Sequence, residues 1–197
     1  MLSTELWRHF IPKRMSNRPK PAIFVDRDGT LIEEVDHLSN VDELRLYSYT
    51  REAVRIAKER GYLVIVVTNQ SGIGRSYFDE GAMMSIHENI QQQLDGAIDG
   101  FYFCPHLPDA GCNCRKPATG MIDAARSDFE IDMSGSWIIG DKSLDVLTGV
   151  NAGIKSALVL TGYGMGHREK ASGHADLIEN DLLSAVRAIL DVGSGEN

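Results

Sequence analysis

Two carboxylates two residues apart, Asp26 and Asp28, follow the apolar run Ala22–Val25 in the stretch Phe24-Val25-Asp26-Arg27-Asp28-Gly29-Thr30. A pair of acids leaving a buried strand can share a magnesium ion, a hard cation that prefers oxygen ligands and keeps several waters. Such a cation offsets the repulsion between a carboxylate and a phosphate dianion. Asp26 is then suited to attack phosphorus in line and form an aspartyl-phosphate. Asp28 is suited to protonate the leaving oxygen and later to activate water. An Asp-Gly turn after a strand is the plainer alternative, and this stretch alone does not separate the two.

Other segments add complementary groups. Thr68-Asn69-Gln70-Ser71-Gly72-Ile73-Gly74 follows a second apolar run, and its hydroxyl and glycine-bearing loop offer donors to phosphate oxygens. Lys116 supplies a cation for the equatorial oxygens of a transferred phosphoryl group. Beside it, Arg115 has the fork geometry to grip another anionic or hydroxylated part of a substrate. Gly140-Asp141-Lys142 follows a third apolar run, which makes Asp141 a further magnesium ligand and Lys142 a further cation. Asp145 reads as a supporting group or, more simply, as an acid in the first turn of a helix, where acids are favourable anyway. All three cysteines fall in Cys104-Pro105-His106 and Cys112-Asn113-Cys114. Three thiolates and an imidazole in so short a stretch fit a closed, four-coordinate structural zinc site. That site would hold the loop that ends in Arg115 and Lys116; a redox pair or inert buried thiols are the alternatives.

Positioning these groups requires a particular framework. Short apolar runs at Ala22–Val25, Tyr62–Val67, Phe101–Phe103, Trp137–Ile139 and Ala157–Leu160 are continuous rather than alternating, as strands covered on both faces are. Between them lie helical patterns: one starting at Thr50 and stopped by Gly61, one starting at Asp79, and others over Ala118–Phe129, Leu144–Ala152 and Asp181–Leu190. This alternation predicts a three-layer α/β/α sandwich with a central parallel sheet, Rossmann-like in type. Asp26, Thr68, Cys104 and Asp141 all sit just after strands, the edge where open α/β sheets bind ligands.

The 197-residue length predicts a single domain over residues 21–192, with a zinc loop at 104–114, a basic extension over 1–20 and a tail at 193–197. The extension carries Arg8, Lys13, Arg14, Arg18 and Lys20 with no apolar run between them, so it does not read as a secretory signal and a loosely ordered segment is expected. A net charge of −8 argues against a nucleic-acid backbone as partner. No apolar run approaches the length of a membrane span, and the cysteine usage suits a reducing compartment. The expectation is a cytoplasmic monomer acting on a small phosphorylated molecule.

Together the segments resemble the haloacid dehalogenase superfamily of phosphohydrolases. The stretches TNQSGIG (68–74), CPHLPDAGCNCRKPATGM (104–121) and Gly140-Asp141-Lys142 are similar to its D-glycero-D-manno-heptose 1,7-bisphosphate 7-phosphatase branch. The resemblance covers roughly Pro21 to Leu190. It implies Asp26 as nucleophile and Asp28 as acid and base, with Thr68 and Lys116 on the phosphoryl group and Arg115 in substrate recognition; Asn69, Gln70, Ser71 and Lys142 are further candidate phosphate or substrate contacts from their positions in the loops. It implies magnesium at Asp26, Asp28 (through its main-chain carbonyl) and Asp141, and zinc at Cys104, His106, Cys112 and Cys114. It also implies the absence of a large cap domain, a sugar phosphate substrate and a place in nucleotide-activated heptose synthesis. Three features depart from that pattern: the five-residue spacing between His106 and Cys112, which histidinol-phosphatases share, Ser76 after Gly-Ile-Gly-Arg, and the stretch Glu34–His37. A histidinol-phosphate or other phosphomonoesterase, and a zinc-stabilised binding protein without catalysis, are the competing readings.

Overall fold

The computed structural model describes residues 7–10 and 18–192. Among the described residues, seven strands form one sheet: β1 (Trp7–Phe10), β2 (Lys20–Val25), β3 (Leu63–Asn69), β4 (Gly100–Cys104), β5 (Ile131–Gly140), β6 (Lys155–Val159) and β7 (Leu177–Glu179). Their order is β1-β4-β3-β2-β5-β6-β7. Every pair is parallel except β1 with β4. The chain winds from β2 toward β4 on one side and from β5 toward β7 on the other, so the topological switch lies between β2 and β5. A crevice opens at that point in doubly wound sheets.

Alternation along the strands assigns the two faces. Ile23 and Val25 of β2, with Val64 and Val66 of β3, pack into one core with α1 (Thr50–Glu59), α3 (Glu80–Gln93) and α7 (Leu182–Val192). Ala22, Phe24, Ile65 and Val67 face the other way, onto Met121, Ile122 and Ala125 of α4 (Gly120–Asp128). On that same side Leu158 of β6 meets Val146 of α5 (Ser143–Ala152) and Ala171 of α6 (Gly164–Ala171). The short α2 (Ser71–Gly74) follows β3 directly. Asp79 caps α3 by accepting from the Ala82 amide at 2.9 Å. Thr50, expected to cap α1, is its first residue, and its hydroxyl donates to the Leu31 carbonyl at 2.7 Å.

The basic stretch expected to be loosely ordered contributes to the sheet. Trp7–Phe10 pairs antiparallel with β4, from Trp7 opposite Phe103 to Phe10 opposite Gly100, and Lys20 already belongs to β2. W-R-H-F is too short and polar to read as a strand by pattern; what organises it is a free edge of β4, a tertiary partner invisible in local sequence. The rest of the extension before residue 18 and the tail 193–197 lie outside the described residues. The three-residue β7 and the glycine-bearing, charged α6 were likewise unexpected, and β5 starts six residues earlier than its apolar run suggested.

The early part of β5 is irregular because its pairing with β2 shifts between Pro21 and Ile23: Pro21 is opposite Asp132, and Ile23 opposite Trp137. Ser136, fully buried, bridges the gap. Its hydroxyl accepts from the Ala22 amide at 2.9 Å and donates to the Asp132 carbonyl at 2.6 Å. A buried donor left without a partner costs about 1–3 kcal/mol. Ser136→Ala is therefore expected to lower the unfolding free energy by roughly that amount in denaturant titrations, without changing the spectroscopic signature of the fold.

Candidate active site

Asp26 leaves the end of β2 as a buried side chain, and its backbone amide still bonds the Ile139 carbonyl of β5 at 2.9 Å. Its Oδ1 accepts from the Arg27 amide at 2.8 Å and lies 2.9 Å from Lys116 Nζ. Lys116 is also buried. Its ammonium reaches the Val67 carbonyl of β3 at 2.9 Å and Asp145 Oδ1 at 2.5 Å. Burial pushes the Lys116 pKa down, but the charges of Asp145 and Asp26 outweigh it and hold the lysine above its ordinary value. Burial likewise pushes the Asp26 carboxyl up, and Lys116, then Lys142, pull it below the usual range. The two are a stable ion pair at neutral pH.

Lys116 is held through its main chain as well. Asn69 Oδ1 accepts from the Lys116 amide at 3.0 Å, and Asn69 Nδ2 donates to the Lys116 carbonyl at 3.3 Å. Gln70 is turned inward, with Nε2 donating to Thr68 Oγ1 at 2.8 Å and to Asp28 Oδ2 at 2.7 Å. Of the loop residues expected around the phosphate, Asn69 and Gln70 thus direct their side chains to protein groups, and Ser71 opens α2.

Asp141, fully buried after β5, has Oδ2 bonded by the Tyr163 amide at 2.8 Å and Oδ1 3.4 Å from Lys142 Nζ. Its carboxylate packs between Gly29 and Gly162, both at positive φ; a Cβ on either would come within 2.3 Å of Oδ2. Asp145 proves to be part of the site rather than an ordinary first-turn acid. It is buried, its Oδ2 accepts from the Lys142 amide at 2.9 Å, and a Cβ on Gly140 would fall 2.2 Å from its Cγ. Lys142 itself sits 3.3 Å from Glu34 Oε2 and 4.8 Å above the Tyr163 ring. Arg27 is the residue to which pattern reading gave no role; Asp145 had been weighed as a supporting group, and Glu34 opens the stretch Glu34–His37 that departs from the family pattern. Asp145 carried no local mark beyond that of an acid in the first turn of α5.

Asp26, Asp141 and Asp145 each place a carboxylate oxygen within 4.8 Å of the others. Three buried acids face two lysines here, and Asp141 Oδ1 has no hydrogen-bond partner. Burial, with the charge of Asp26, pushes the Asp141 carboxyl up to about 7. An under-neutralised, all-oxygen cluster with an orphaned carboxylate atom fits a hard divalent cation. The Asp28 side chain is turned away from this cluster toward Arg27, Gln70 and Thr68, which leaves its main chain as its route to a metal.

The second cluster is Cys104, His106, Cys112 and Cys114. Its sulfur pairs are 3.2 to 3.6 Å apart, and His106 Nδ1 lies 3.5 Å from Cys104 Sγ and 3.2 Å from Cys114 Sγ. A tetrahedral zinc with bonds of about 2.3 Å to sulfur implies sulfur–sulfur edges of about 3.8 Å, so the four donors suit that metal. The loop is tied to the phosphate-side segment by Gln70 N to Cys104 O at 2.7 Å and Gly74 N to Pro105 O at 3.0 Å. Arg115 donates to the His106 carbonyl at 3.2 Å.

A parallel sheet with paired acids at its switch point and a buried lysine facing them defines a haloacid dehalogenase-like hydrolase, and the HAD-hydrolase-like family model matches residues 113–185. The D-glycero-beta-D-manno-heptose-1,7-bisphosphate 7-phosphatase of Haemophilus ducreyi is 36% identical over 177 residues, covering 85% of this chain and 97% of that protein. The enzyme of the same name from Escherichia coli K12 is 36% identical, covering 86% and 93%. A crystal structure of D,D-heptose 1,7-bisphosphate phosphatase from B. bronchiseptica, complexed with magnesium and phosphate, superposes with a TM-score of 0.79 at 30% identity, covering 87% of this chain and 99% of that one. The chain belongs to the haloacid dehalogenase-like phosphatases, in the branch these heptose-bisphosphate 7-phosphatases define, and the reading as a binding protein without catalysis is set aside.

A carboxyl whose folded pKa lies above its unfolded value favours the folded state below the unfolded pKa and loses that contribution as pH rises through the folded one. For Asp141 the window runs from 3.8 to about 7. In the presence of a chelator, the melting temperature of the wild-type protein should fall relative to Asp141→Asn between pH 5 and pH 8. Parallel curves would show that Asp141 carries no such penalty.

Proposed function

We propose that this phosphatase removes the 7-phosphate of D-glycero-D-manno-heptose 1,7-bisphosphate through an aspartyl-phosphate on Asp26, in nucleotide-activated heptose synthesis in the cytoplasm. The observation that carries the mechanism is the burial of Asp26 as an anion against Lys116, at the sheet edge where Asp141 and Asp145 converge. Asp26, Asp141 and the main-chain carbonyl of Asp28 would hold magnesium. When bound, that cation offsets the repulsion between carboxylate and phosphate and polarises the phosphoryl group. Asp26 attacks phosphorus, and Asp28 gives a proton to the departing oxygen and takes one from the water that hydrolyses the intermediate. Lys116 and the Thr68 hydroxyl face the equatorial oxygens.

Cation bookkeeping supports a substrate with a second anionic group. Lys116 and Lys142 are each flanked by two carboxylates. Arg115 bonds a carbonyl and has no acidic partner among the described residues, which makes it the better receptor for a remote phosphate. The relatives named above, heptose-bisphosphate 7-phosphatases at 36% identity, support the heptose bisphosphate over histidinol phosphate.

Phosphate release from a panel of esters tests this. Heptose 1,7-bisphosphate should turn over with magnesium and stop with a chelator, and Asp26→Asn should release nothing detectable while keeping its fold. Turnover of histidinol phosphate but not the heptose bisphosphate would move the substrate to the other branch. For the thiol cluster, the expected zinc content is about one per chain. Cys114→Ser should lose that zinc and raise KM, because Cys114 lies two residues before Lys116; unchanged kinetics would separate the loop from the site.

A further inference from the structure

Arg27 stands outside every role assigned so far. Its side chain is fully buried, and removing a guanidinium from water is costly unless it is well paired. Its fork closes on the neighbouring carboxylate, with Nη2 3.0 Å from Asp28 Oδ1 and Nε 3.1 Å from Asp28 Oδ2. The remaining nitrogen, Nη1, is 2.9 Å from Met83 Sδ, a weak acceptor. Gln70 Nε2 adds a third donor to Asp28, 2.7 Å from Oδ2, and the Thr68 hydroxyl lies 3.5 Å from the same atom. A carboxylate has about four lone-pair sites. Two close donors fill Oδ2, whereas Oδ1 receives Arg27 alone and keeps one site open.

We propose that Arg27 and Gln70 are positioning residues that lock the Asp28 carboxylate so that Oδ1 is the oxygen that gives and later receives the proton. The inference rests on Asp28 being the acid and base of the proposed mechanism. As Asp26 bonds phosphorus and the P–O ester bond breaks, its electron pair stays on the leaving oxygen, which takes the proton from Asp28 Oδ1. In the second half, Asp28 Oδ1 takes a proton from water while the water oxygen bonds phosphorus and the Asp26–phosphorus bond breaks. Arg27 and Gln70 transfer no proton in either half.

The bland role for Arg27 is to staple the turn, since its main-chain carbonyl also accepts from the Leu31 and Ile32 amides at 3.0 and 3.1 Å. The two roles differ in how they respond to the leaving group. The C7 alkoxide of a heptose phosphate needs a proton to depart, and 4-nitrophenolate does not. We would measure kcat/KM, which reports steps through ester cleavage, for heptose 1,7-bisphosphate and for 4-nitrophenyl phosphate with magnesium. Arg27→Met and Gln70→Leu should lower the first by about 100-fold and about 10-fold, respectively, and the second by less than about threefold. Arg27→Lys, which keeps the charge without the fork, should recover only part of the loss. Equal losses on both esters, or none, would overturn the proposal. Asp28→Asn measured alongside separates the two claims: if it too is unselective, the acid role fails and the positioning role with it. Selective loss in Asp28→Asn but not in the other variants would sink the positioning role alone. Should Arg27→Met prove unfolded by circular dichroism, Gln70→Leu decides.

Discussion

A single buried ammonium organises this molecule. Lys116 Nζ meets a main-chain carbonyl from β3, Asp26 directly after β2 and Asp145 from α5. Taking such charges out of water carries a penalty of several kcal/mol per ion, and the arrangement persists only while all its partners stay in place. Two strands, one helix and the loop after the cysteine cluster are therefore constrained to one mutual geometry. Asn69 completes the constraint by gripping the lysine's own peptide groups, so that the position of the backbone as well as the side chain is specified.

Around that pair the site is deliberately out of balance. Asp26, Asp141 and Asp145 outnumber Lys116 and Lys142, and the surplus negative charge is concentrated on Asp141, whose carboxyl is raised and partly unpartnered. A protein without a use for a cation gains nothing from burying such a surplus. The glycines at 29, 140 and 162 show how tightly the backbone closes on these carboxylates. Rigid, pre-set donors need no reorganisation when charge develops on a substrate.

Much of this was legible in sequence, because both the strands and the chemistry leave local marks. Continuous apolar runs announced β2 through β6, and Asp26, Thr68, Cys104 and Asp141, within two residues of the ends of four of them, marked the functional edge. Asp26, Lys116 and Asp141 converge as their positions implied, and the four zinc-type ligands cluster. Features created by tertiary contact were illegible. Trp7–Phe10 becomes a strand because β4 needs a neighbour, and α6 forms despite its glycines, with His167 Nδ1 meeting the Ser143 amide at 3.2 Å. Asp145 and Asn69 have ordinary types at ordinary positions, and only the location of Lys116 gives them their work. Charge pairing over long sequence separations has no period for a pattern to reveal.

The short N-terminal strand has a further consequence for how this molecule behaves in a crowded solution. A sheet edge with free backbone groups invites pairing with another chain. Here one end of the sheet is closed by an antiparallel strand of only four residues containing Arg8 and His9, and the other by the three-residue β7. Among the described residues, both edge strands of the sheet are therefore short. The same segment that looked like a loose basic leader takes up the edge of β4, whose five residues are all buried.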